Sequence, residues 1–297
     1  MAIINFGSIN IDHVYQVPHF VQPGETLDTT DYQILLGGKG ANQSIALAKA
    51  GADVLHVGYI NENDVQFKQE MIKLGINGRF IQCTSTASGH AIIQVTPSGE
   101  NAIFIFGGAN RLINEKDIQR ALFDANADDW VLLQNETTGT KAVLEQAKAK
   151  GLKVAFNPAP MTADIHDLDM GLIDLLIVNE IEAAELAGSE HYDDIVMFIE
   201  DRFAHGSVLL TLGKQGVEWF SQGEHIEYPA FTVDAVDTTA AGDTFIGFFL
   251  AHYQIHQQPQ QAIRHACAAS AIAVTRVGAA PSIPTHDEVL QFLAEHG

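Results

Sequence analysis

The sequence has few cysteines and no long apolar run, and both absences narrow the class of protein. Its two cysteines, Cys83 and Cys267, lie far apart and suggest neither a disulfide framework nor a metal site. No apolar run approaches the roughly 18 residues of a membrane span. Residues 1–7 lack the basic start and long apolar stretch of a signal peptide. We therefore expect a cytoplasmic protein with no membrane partner.

Basic residues are also scarce. The chain has 16 Lys and Arg against 37 Asp and Glu, which gives a formal net charge of −21. This charge argues against nucleic acid or an anionic membrane surface as a partner. An anionic ligand would need local positive features, such as helix N-termini, Mg²⁺ and a few basic side chains. The hydrophobic content of 46% supports a large core and argues against disorder.

Short β-rich segments alternate with helical patterns along most of the chain. The predicted strands are 3–6, 54–59, 130–133, 154–156, 175–178 and 208–212, and the predicted helices include 41–50, 65–74, 141–150 and 181–186. This alternation predicts an α/β fold with a mostly parallel sheet and helices on both faces. Ligands of such sheets bind beyond the carboxyl ends of the strands. We expect one domain over residues 1–297.

Two stretches break the alternation, residues 13–36 and 88–106. The first contains two prolines and then an extended run. The second has the pattern of a β-hairpin around a Pro97–Glu100 turn. One interpretation is a small β-sheet lid over the site. The alternative is an additional sheet at one edge of the body.

The segment Asp237–Phe245, with the sequence DTTAAGDTF, carries the clearest chemical signal. Its small residues let the backbone approach a ligand closely. The apolar run that follows predicts a buried helix, and a helix start offers unpaired N–H groups and a positive dipole to a phosphate. The Asp243 carboxylate could take a proton from an attacking hydroxyl. The combination predicts half of a phosphoryl-transfer site.

A second glycine-rich segment, Leu36–Gln43 with the sequence LGGKGANQ, precedes a predicted helix. It is not a Walker A loop, because glycine rather than serine or threonine follows Lys39. It is not a dinucleotide motif, because Gln43 stands where the third glycine should be. Asn42 can both donate and accept hydrogen bonds, which suits a sugar hydroxyl. A tight turn before a core helix is the alternative.

Polar residues and glycines also follow several predicted strands. Asn10 and Asp12 come after the first strand and could hold two adjacent hydroxyls, although turn or helix-cap chemistry also explains them. Asn179 and Glu182 share a helix face and could hold a hydrated Mg²⁺. Similar strand-end positions are occupied by Glu136, Thr211, Gly213 and Gly216. Near the end, a helix runs into a loop rich in Gly and Pro, which is either an ordinary helix end or a source of free carbonyls for a cation.

Together these segments resemble the ribokinase family of sugar kinases, also called pfkB carbohydrate kinases, over nearly the whole chain. The Gly242-Asp243 pair among small residues is the general signature of that family. Four runs are similar to its ribokinase branch: GSINIDH at 7–13, GGKGANQ at 37–43, DTTAAGD at 237–243 and GAAPSIP at 278–284. The resemblance implies a doubly wound α/β body with a β lid.

The resemblance also implies a reaction and a set of residues. The reaction is transfer of the γ-phosphate of ATP to the 5-hydroxyl of ribose, with Asp243 as the base. The backbone N–H groups of Ala240, Ala241, Gly242 and Asp243 would form the anion hole. The residues expected to bind sugar are Asn10, Asp12, Gly38, Lys39, Asn42, Glu136 and Asp243. The residues expected to line the ATP site are Asn179, Thr211, Gly213, Gly216 and Gly242, and Glu182 would hold Mg²⁺ through water.

The family further implies a monovalent-cation site, usually filled by K⁺, and pairing of lids into a homodimer. The expected cation-site residues are Asp237, Thr239, Ala273, Arg276, Gly278 and Ser282. Two alternatives stay open. One is a kinase of the same fold that acts on another sugar or a nucleoside, such as deoxyribose or fructose. The other is a sugar-binding regulator without catalysis, against which the intact Gly242-Asp243 pair argues.

Overall fold

The computed structural model describes residues 1–296, which form two β-sheets and surrounding helices. The strands are β1 (Ala2–Phe6), β2 (Asn10–Gln16), β3 (Asp31–Gly37), β4 (Asp53–Asn61), β5 (Asn77–Thr84), β6 (Gly89–Val95), β7 (Asn101–Phe106), β8 (Trp130–Gln134), β9 (Lys153–Asn157), β10 (Leu175–Asn179), β11 (Ser207–Thr211), β12 (Val217–Ser221) and β13 (Glu224–Tyr228). The α-helices are α1 (Lys39–Lys49), α2 (Val65–Lys73), α3 (Glu115–Leu122), α4 (Thr140–Ala149), α5 (Glu180–Ala187), α6 (Tyr192–Arg202), α7 (Ala241–His256), α8 (Pro259–Val274) and α9 (His286–His296).

The larger sheet has β1 near its middle. Its strand order is β13-β12-β11-β10-β9-β8-β1-β4-β5. Neighbouring strands are parallel except at one edge, where β12 pairs antiparallel with β11 and with β13. The chain moves from β1 to one side through β4 and β5, and then returns to β8 on the other side. A crevice opens at such a reversal, beyond the carboxyl ends of the strands, and ligands bind there.

Successive residues of β1 pack into two separate cores, one on each face of the sheet. Ile3 belongs to the core that α1, α7, α8 and α9 cover. Ile4 and Phe6 belong to the core that α3, α4, α5 and α6 cover. Because both faces are covered, β8 is buried along its whole length and contains four apolar residues in a row. The predicted α/β class, with a mostly parallel sheet and helices on both faces, is therefore confirmed.

The smaller sheet has the order β3-β2-β6-β7 and shares no strand pair with the larger one. β6 and β7 form the predicted hairpin. The predicted start of the first irregular stretch, residue 13, is wrong, because β2 begins at Asn10. Asn10 and Asp12 therefore lie in a strand of this sheet and not in a turn or helix cap. Since only residues 7–9 separate β1 from β2, the small sheet lies beside the carboxyl end of β1.

Within residues 1–296, no helix has the length and apolar composition needed to cross a bilayer.

One histidine of the central strands is fully buried. The Nε2 atom of His56 lies 3.1 Å from the carbonyl oxygen of Gly7, and its Nδ1 atom lies 2.8 Å from the hydroxyl of Ser44. A carbonyl can only accept, so Nε2 carries the proton and Nδ1 accepts from Ser44. Burial lowers the pKa of His56 from 6.5 to about 4, although the bond to Gly7 opposes this shift.

We expect His56 to make the fold sensitive to acid. The unfolded chain takes up a proton at this side chain near pH 6.5, whereas the folded chain stays neutral to about pH 4. Stability is therefore lost as the pH falls between these values, by about 3 kcal/mol from this group. Urea unfolding of the wild type and of His56→Gln, which keeps a donor and an acceptor but cannot titrate here, measures the effect. The stability difference between the two proteins should shift by about 3 kcal/mol between pH 7 and pH 4. A difference that does not depend on pH would contradict a neutral, buried His56.

Candidate active site

Two helices from distant parts of the chain place three polar side chains in contact. Asp243 lies in the first turn of α7 and is buried. Its Oδ2 atom accepts a hydrogen bond of 3.0 Å from Asn42 Nδ2, and its Oδ1 atom accepts one of 2.9 Å from Gln43 Nε2. Both donors belong to α1. The carboxylate is therefore held in one orientation by two side-chain amides.

The start of α7 has the features of an anion-binding site. Ala240 has a φ of 61°, in the left-handed region that costs a residue with a side chain roughly 1–2 kcal/mol. Among residues 1–296, the N–H groups of Gly242 and Asp243 have no hydrogen-bond acceptor. A Cβ atom added to Gly242 would meet no atom within 4 Å, so open space faces this turn. Free N–H groups at the positive end of a helix favour an anion in that space.

The glycine-rich run packs the start of α1 against the loop that follows β1. A Cβ atom on Gly40 would lie 2.3 Å from the backbone nitrogen of Ser8. One on Gly37 would lie 1.9 Å from Asp12 Oδ2. Gly38 has a φ of 90°, where a side chain is strained. Gly40 is therefore required by a backbone contact and Gly38 by its backbone conformation, whereas at Gly37 the obstacle is the end of the Asp12 side chain. These contacts bring β2 next to α1.

Asn10 and Asn42 present free polar atoms to the crevice. Asn10 Oδ1 accepts a hydrogen bond of 2.7 Å from Asn110 Nδ2, which leaves Asn10 Nδ2 available as a donor. Asn110 Oδ1 in turn accepts from the N–H of Ile9 at 2.9 Å. Asn42 Oδ1 is buried and has no partner within residues 1–296. A buried acceptor without a partner calls for a donor from a ligand, such as a hydroxyl group.

Glu136 connects the end of β8 to the start of α1. Its Oε2 atom accepts from the hydroxyl of Ser8 and, at 3.0 Å, from the N–H of Lys39. Burial raises the pKa of Glu136, while these hydrogen bonds and the Lys39 charge oppose the increase. Because Oε2 is engaged, Oε1 is the atom that can accept from a ligand.

Lys39 places a cation among the carboxyl groups of the crevice. Burial alone would lower the pKa of Lys39, but Asp243, Glu136 and Glu182 raise it above its usual value. Burial raises the pKa of Asp12 to about 7, and the carboxylates of Glu136 and Asp243 add to this shift. A polyphosphate in this crevice would therefore need positive charge beyond that of Lys39.

The structure gives the two residues predicted to serve ATP and Mg²⁺ a local role as well. Asn179 Oδ1 accepts from the N–H of Glu182 at 2.8 Å, and Glu182 Oε2 accepts from the N–H of Asn179 at 3.0 Å. This reciprocal pair is a capping box at the start of α5. Burial raises the pKa of Glu182, and the charges of Lys39 and Asp243 also act on it. Its carboxylate therefore lies within electrostatic reach of the base.

Gly242, also expected near ATP, lies in the first turn of α7, and the remaining three residues lie at the end of β11 and in the turn before β12. Thr211 Oγ1 donates to the carbonyl of Val178 at 3.3 Å. Gly213 has a φ of 53°, and an added Cβ atom would meet nothing within 4 Å. A Cβ atom on Gly216 would lie 2.1 Å from the carbonyl oxygen of Tyr228. Packing alone thus explains Gly216, whereas the space beside Gly213 could admit a ligand.

Asp237 joins the loop before α7 to the loop after α8. Its Oδ2 atom accepts from the N–H of Gly278, and its Oδ1 atom accepts from the N–H of Thr239, both at 2.8 Å. Burial favours the neutral form of Asp237, but these hydrogen bonds lower its pKa overall. Arg276 is paired with Glu288. The loops that carry the residues expected to bind K⁺ are therefore in contact, and Arg276 could contribute only its backbone carbonyl.

Sequence reasoning missed several buried polar residues of this region, among them Ser8, Gln43, Asn110 and Asn157. Gln43 had a usable signal, since it shares a predicted core helix with Ile45 and Ala46, and a glutamine buried there must find a partner. Asn110 had none, because it meets Asn10 from 100 positions away. Within residues 1–296, no group of three or more His, Cys, Asp or Glu could hold a metal ion. A metal bound here would depend on ligand oxygens and water.

Known proteins share this arrangement of elements. Residues 2–286 match the family described as pfkB family carbohydrate kinase. The chain is 40% identical to the ribokinase of Haemophilus influenzae, over 98% of this chain and 97% of that protein. It is 32% identical to the deoxyribokinase of Salmonella typhi, over 99% of each. The structure of Arabidopsis thaliana ribokinase complexed with ribose and ATP matches with a TM-score of 0.86, 29% identity and 99% coverage of each chain.

The match spans the larger sheet with its helices and also the smaller sheet, β3-β2-β6-β7, which we call the lid sheet. It agrees with the resemblance carried by the four sequence runs. The chain belongs to the pfkB family of carbohydrate kinases.

Proposed function

We propose that the protein is an ATP-dependent ribokinase, which converts D-ribose and ATP into D-ribose 5-phosphate and ADP. The position of Asp243 carries the proposal. This buried carboxylate is oriented by two amides and lies in the first turn of a helix whose start offers free N–H groups. A hydroxyl to be deprotonated and a phosphate to be attacked can meet there. The ribokinase names of similar proteins support ribose as the acceptor.

The proposed reaction transfers one phosphoryl group and one proton. Asp243 takes the proton of the 5-hydroxyl as its oxygen forms a bond to the γ-phosphorus. The bond between that phosphorus and the bridging oxygen breaks, and ADP leaves with the electron pair. The N–H groups of Ala240, Ala241, Gly242 and Asp243 would stabilise the charge on the transferred group, and that of Ala241 would first have to leave the carbonyl of Thr238, to which it donates at 3.2 Å. Preorganised donors suit this chemistry because it demands positioning more than covalent participation.

The sugar would lie between the lid sheet and the start of α1. Its hydroxyls need several groups that donate and accept, and the free atoms of Asn10, Asn42 and Glu136 meet that need. The other proposed sugar contacts are Asp12, Gly38 and Lys39. A closed lid would exclude water, which could otherwise accept the phosphate in place of ribose.

ATP and two cations complete the proposal. Asn179, Thr211, Gly213 and Gly216 would line the nucleotide site. Bound Mg²⁺ would neutralise phosphate oxygens, and the unpaired oxygen of Glu182 would hold it through water, in keeping with the negative charge of the crevice. K⁺ would bind between the two loops that Asp237 joins and would support the anion hole from behind. The proposed K⁺ site comprises Asp237, Thr239, Ala273, Arg276, Gly278 and Ser282.

We further propose a cytoplasmic homodimer that forms through the lid sheet. Strand register places Val14, Leu35 and Ile93 on the face that carries Asp12. The same register places Ile103 and Ile105 of β7 on this face, where they are 51% and 55% exposed. An apolar sheet face of this kind suits a second copy of the same lid. The unpaired Cys83 and Cys267 fit a reducing compartment.

A coupled assay of ADP release tests the reaction and the base together. We expect ATP-dependent turnover with ribose to exceed that with deoxyribose, fructose or nucleosides. Asp243→Asn should lower kcat at least about 100-fold, because the amide cannot take the proton. Ribose binding, measured by calorimetry, should be nearly unchanged.

The matched control is Asp201→Asn, an exposed aspartate on another helix, α6. It should keep the wild-type kcat. Preference for another acceptor would overturn the choice of ribose. Ribose binding with no ATP consumption would support a non-catalytic regulator, and a near-wild-type kcat of Asp243→Asn would remove that residue from its role.

Because of the pKa of Asp12, we expect sugar binding to depend on pH. Burial raises this pKa to about 7, so in the free enzyme this carboxyl changes charge near neutral pH. We expect kcat/KM for ribose to rise as the pH rises through about 7, because the ionised carboxylate is the better acceptor for sugar hydroxyls. Asp12→Asn should lower kcat/KM and abolish this rise. An unchanged pH profile in Asp12→Asn would show that another group titrates.

Sedimentation analysis tests the dimer. Ile105→Asp places a charge on the proposed interface and should give a monomer. Phe104→Asp is the matched control, because Phe104 lies next to it on the opposite face and is 62% exposed. A dimer that survives Ile105→Asp, or one that Phe104→Asp alone disrupts, would rule out this face.

A further inference from the structure

Behind Asp243, a row of buried amides leads away from the crevice into the protein. Gln43 Nε2 donates to Asp243, and Gln43 Oε1 accepts a hydrogen bond of 2.7 Å from Gln134 Nε2. Gln134 Nε2 also donates to Asn5 Oδ1 at 3.0 Å. Asn5, Gln43 and Gln134 are each fully buried. None of these three residues is a member of either hydrophobic core, and none belongs to the proposed ribose or ATP contacts.

The direction of every hydrogen bond in this row is determined by groups that can only accept. Asn5 Nδ2 donates to the carbonyl oxygen of Gly40 at 2.9 Å, so its nitrogen must face α1 and its Oδ1 atom must face Gln134. Gln134 must therefore present its nitrogen to Asn5. The same Gln134 nitrogen also donates to Gln43, so Gln43 must present its oxygen to Gln134. Only Gln43 Nε2 is then left to face the base.

Contacts on the other side of Gln43 require the same orientation of its amide. Its Nε2 atom also lies 3.4 Å from Asn157 Oδ1. Asn157 Nδ2 donates to the carbonyl oxygen of Ile177 at 3.0 Å, so Asn157 must present its oxygen to Gln43. Carbonyls of two different elements, Gly40 and Ile177, thus fix the amide of Gln43 from both directions.

We infer that Gln43 and Gln134 are positioning residues for the proposed base, and that Gln134 acts by keeping the N–H of Gln43, and not its carbonyl, against Asp243. A reversed Gln43 would set an oxygen about 2.9 Å from a carboxylate oxygen. The resulting repulsion would move the carboxylate away from the position that two donors now define. This inference rests on the proposed kinase function.

Two substitutions of Gln134 distinguish an effect on the orientation of the Gln43 amide from an effect on packing. Gln134→Met removes the amide but leaves no new acceptor, so Gln43 keeps its bond to Asp243. Gln134→Glu, when ionised, only accepts, and it draws the Gln43 N–H away from the base. We expect kcat of Gln134→Glu to fall about 10- to 100-fold, the scale of a small misplacement of a reacting group. The kcat of Gln134→Met should fall by clearly less than that of Gln134→Glu, because Gln43 loses one of the groups that fix its orientation but meets no competing acceptor. The KM for ribose should stay near wild type in both variants.

The pH profile is the readout that a purely structural role would not change. The carboxyl group that Gln134→Glu introduces can still donate when it is protonated, so the deficit of this variant should grow as the pH rises and the carboxyl ionises. Gln254→Glu is the matched control, because Gln254 is a buried glutamine of α7 outside this row. It should show no such dependence. Thermal unfolding and the folded fraction of each variant are measured alongside.

If Gln134→Glu does not fold, a comparison of the kcat of Gln43→Met with that of Gln134→Met tests the inference. Each removes one amide from the same row, but only Gln43→Met also removes a donor to Asp243, so its kcat should fall further than that of Gln134→Met. Equal kcat losses in the compared variants, or a loss confined to KM, would overturn the inference. Wild-type turnover in the same assay tests the kinase function separately. If another sugar proves to be the better acceptor, the comparison is made with that sugar.

Discussion

Close contact between α1 and α7 is the constraint on which the candidate site depends. A Cβ atom on Gly247 would lie 2.3 Å from the Cβ atom of Ala46 and 2.8 Å from the backbone nitrogen of Leu47, so only glycine permits this packing. The contact brings Asn42 and Gln43 to Asp243 across about 200 positions of sequence. At its other end, α1 meets the loop after β1 through backbone contacts that glycine alone allows. One helix thereby connects the sheet, the lid strand and the base.

The negative charge of the protein shapes how this site can work. The carboxylates of Asp243, Glu136 and Glu182 act electrostatically on the ammonium of Lys39. A triphosphate would be repelled without further positive features, and the structure supplies one of them in the N–H groups at the start of α7. Burial raises the pKa of Asp12 in this crevice to about 7, and the same negative charge adds to the shift. Phosphoryl transfer by such an acidic protein depends on local donors rather than on net charge.

Local patterns in the sequence predicted much of this arrangement. The alternation of buried strands with amphipathic helices predicted the parallel sheet, because each strand is short and covered on both faces. The glycine run and the Asp237–Phe245 segment indicated a site, because close backbone approach and a helix start leave direct traces in sequence. The start of β2 was missed, since only residues 7–9 separate it from β1, and Asn10 and Asp12 are residue types that also suit a turn. The buried row from Asn5 to Gln43 was missed because its members come from three separate elements and meet only in the fold.

The central claim is that Asp243 takes the proton of a sugar hydroxyl while the start of α7 holds the phosphate that the oxygen attacks. A crystal structure with ribose and a non-hydrolysable ATP analogue tests it most directly. We expect the 5-hydroxyl oxygen to lie about 2.6–3.2 Å from an Asp243 carboxylate oxygen, on the side of that carboxylate that faces the γ-phosphate. The N–H groups of Gly242 and Asp243 should point at the γ-phosphate. A hydroxyl that lies beyond hydrogen-bonding reach of Asp243, with the phosphate held elsewhere, would contradict the claim.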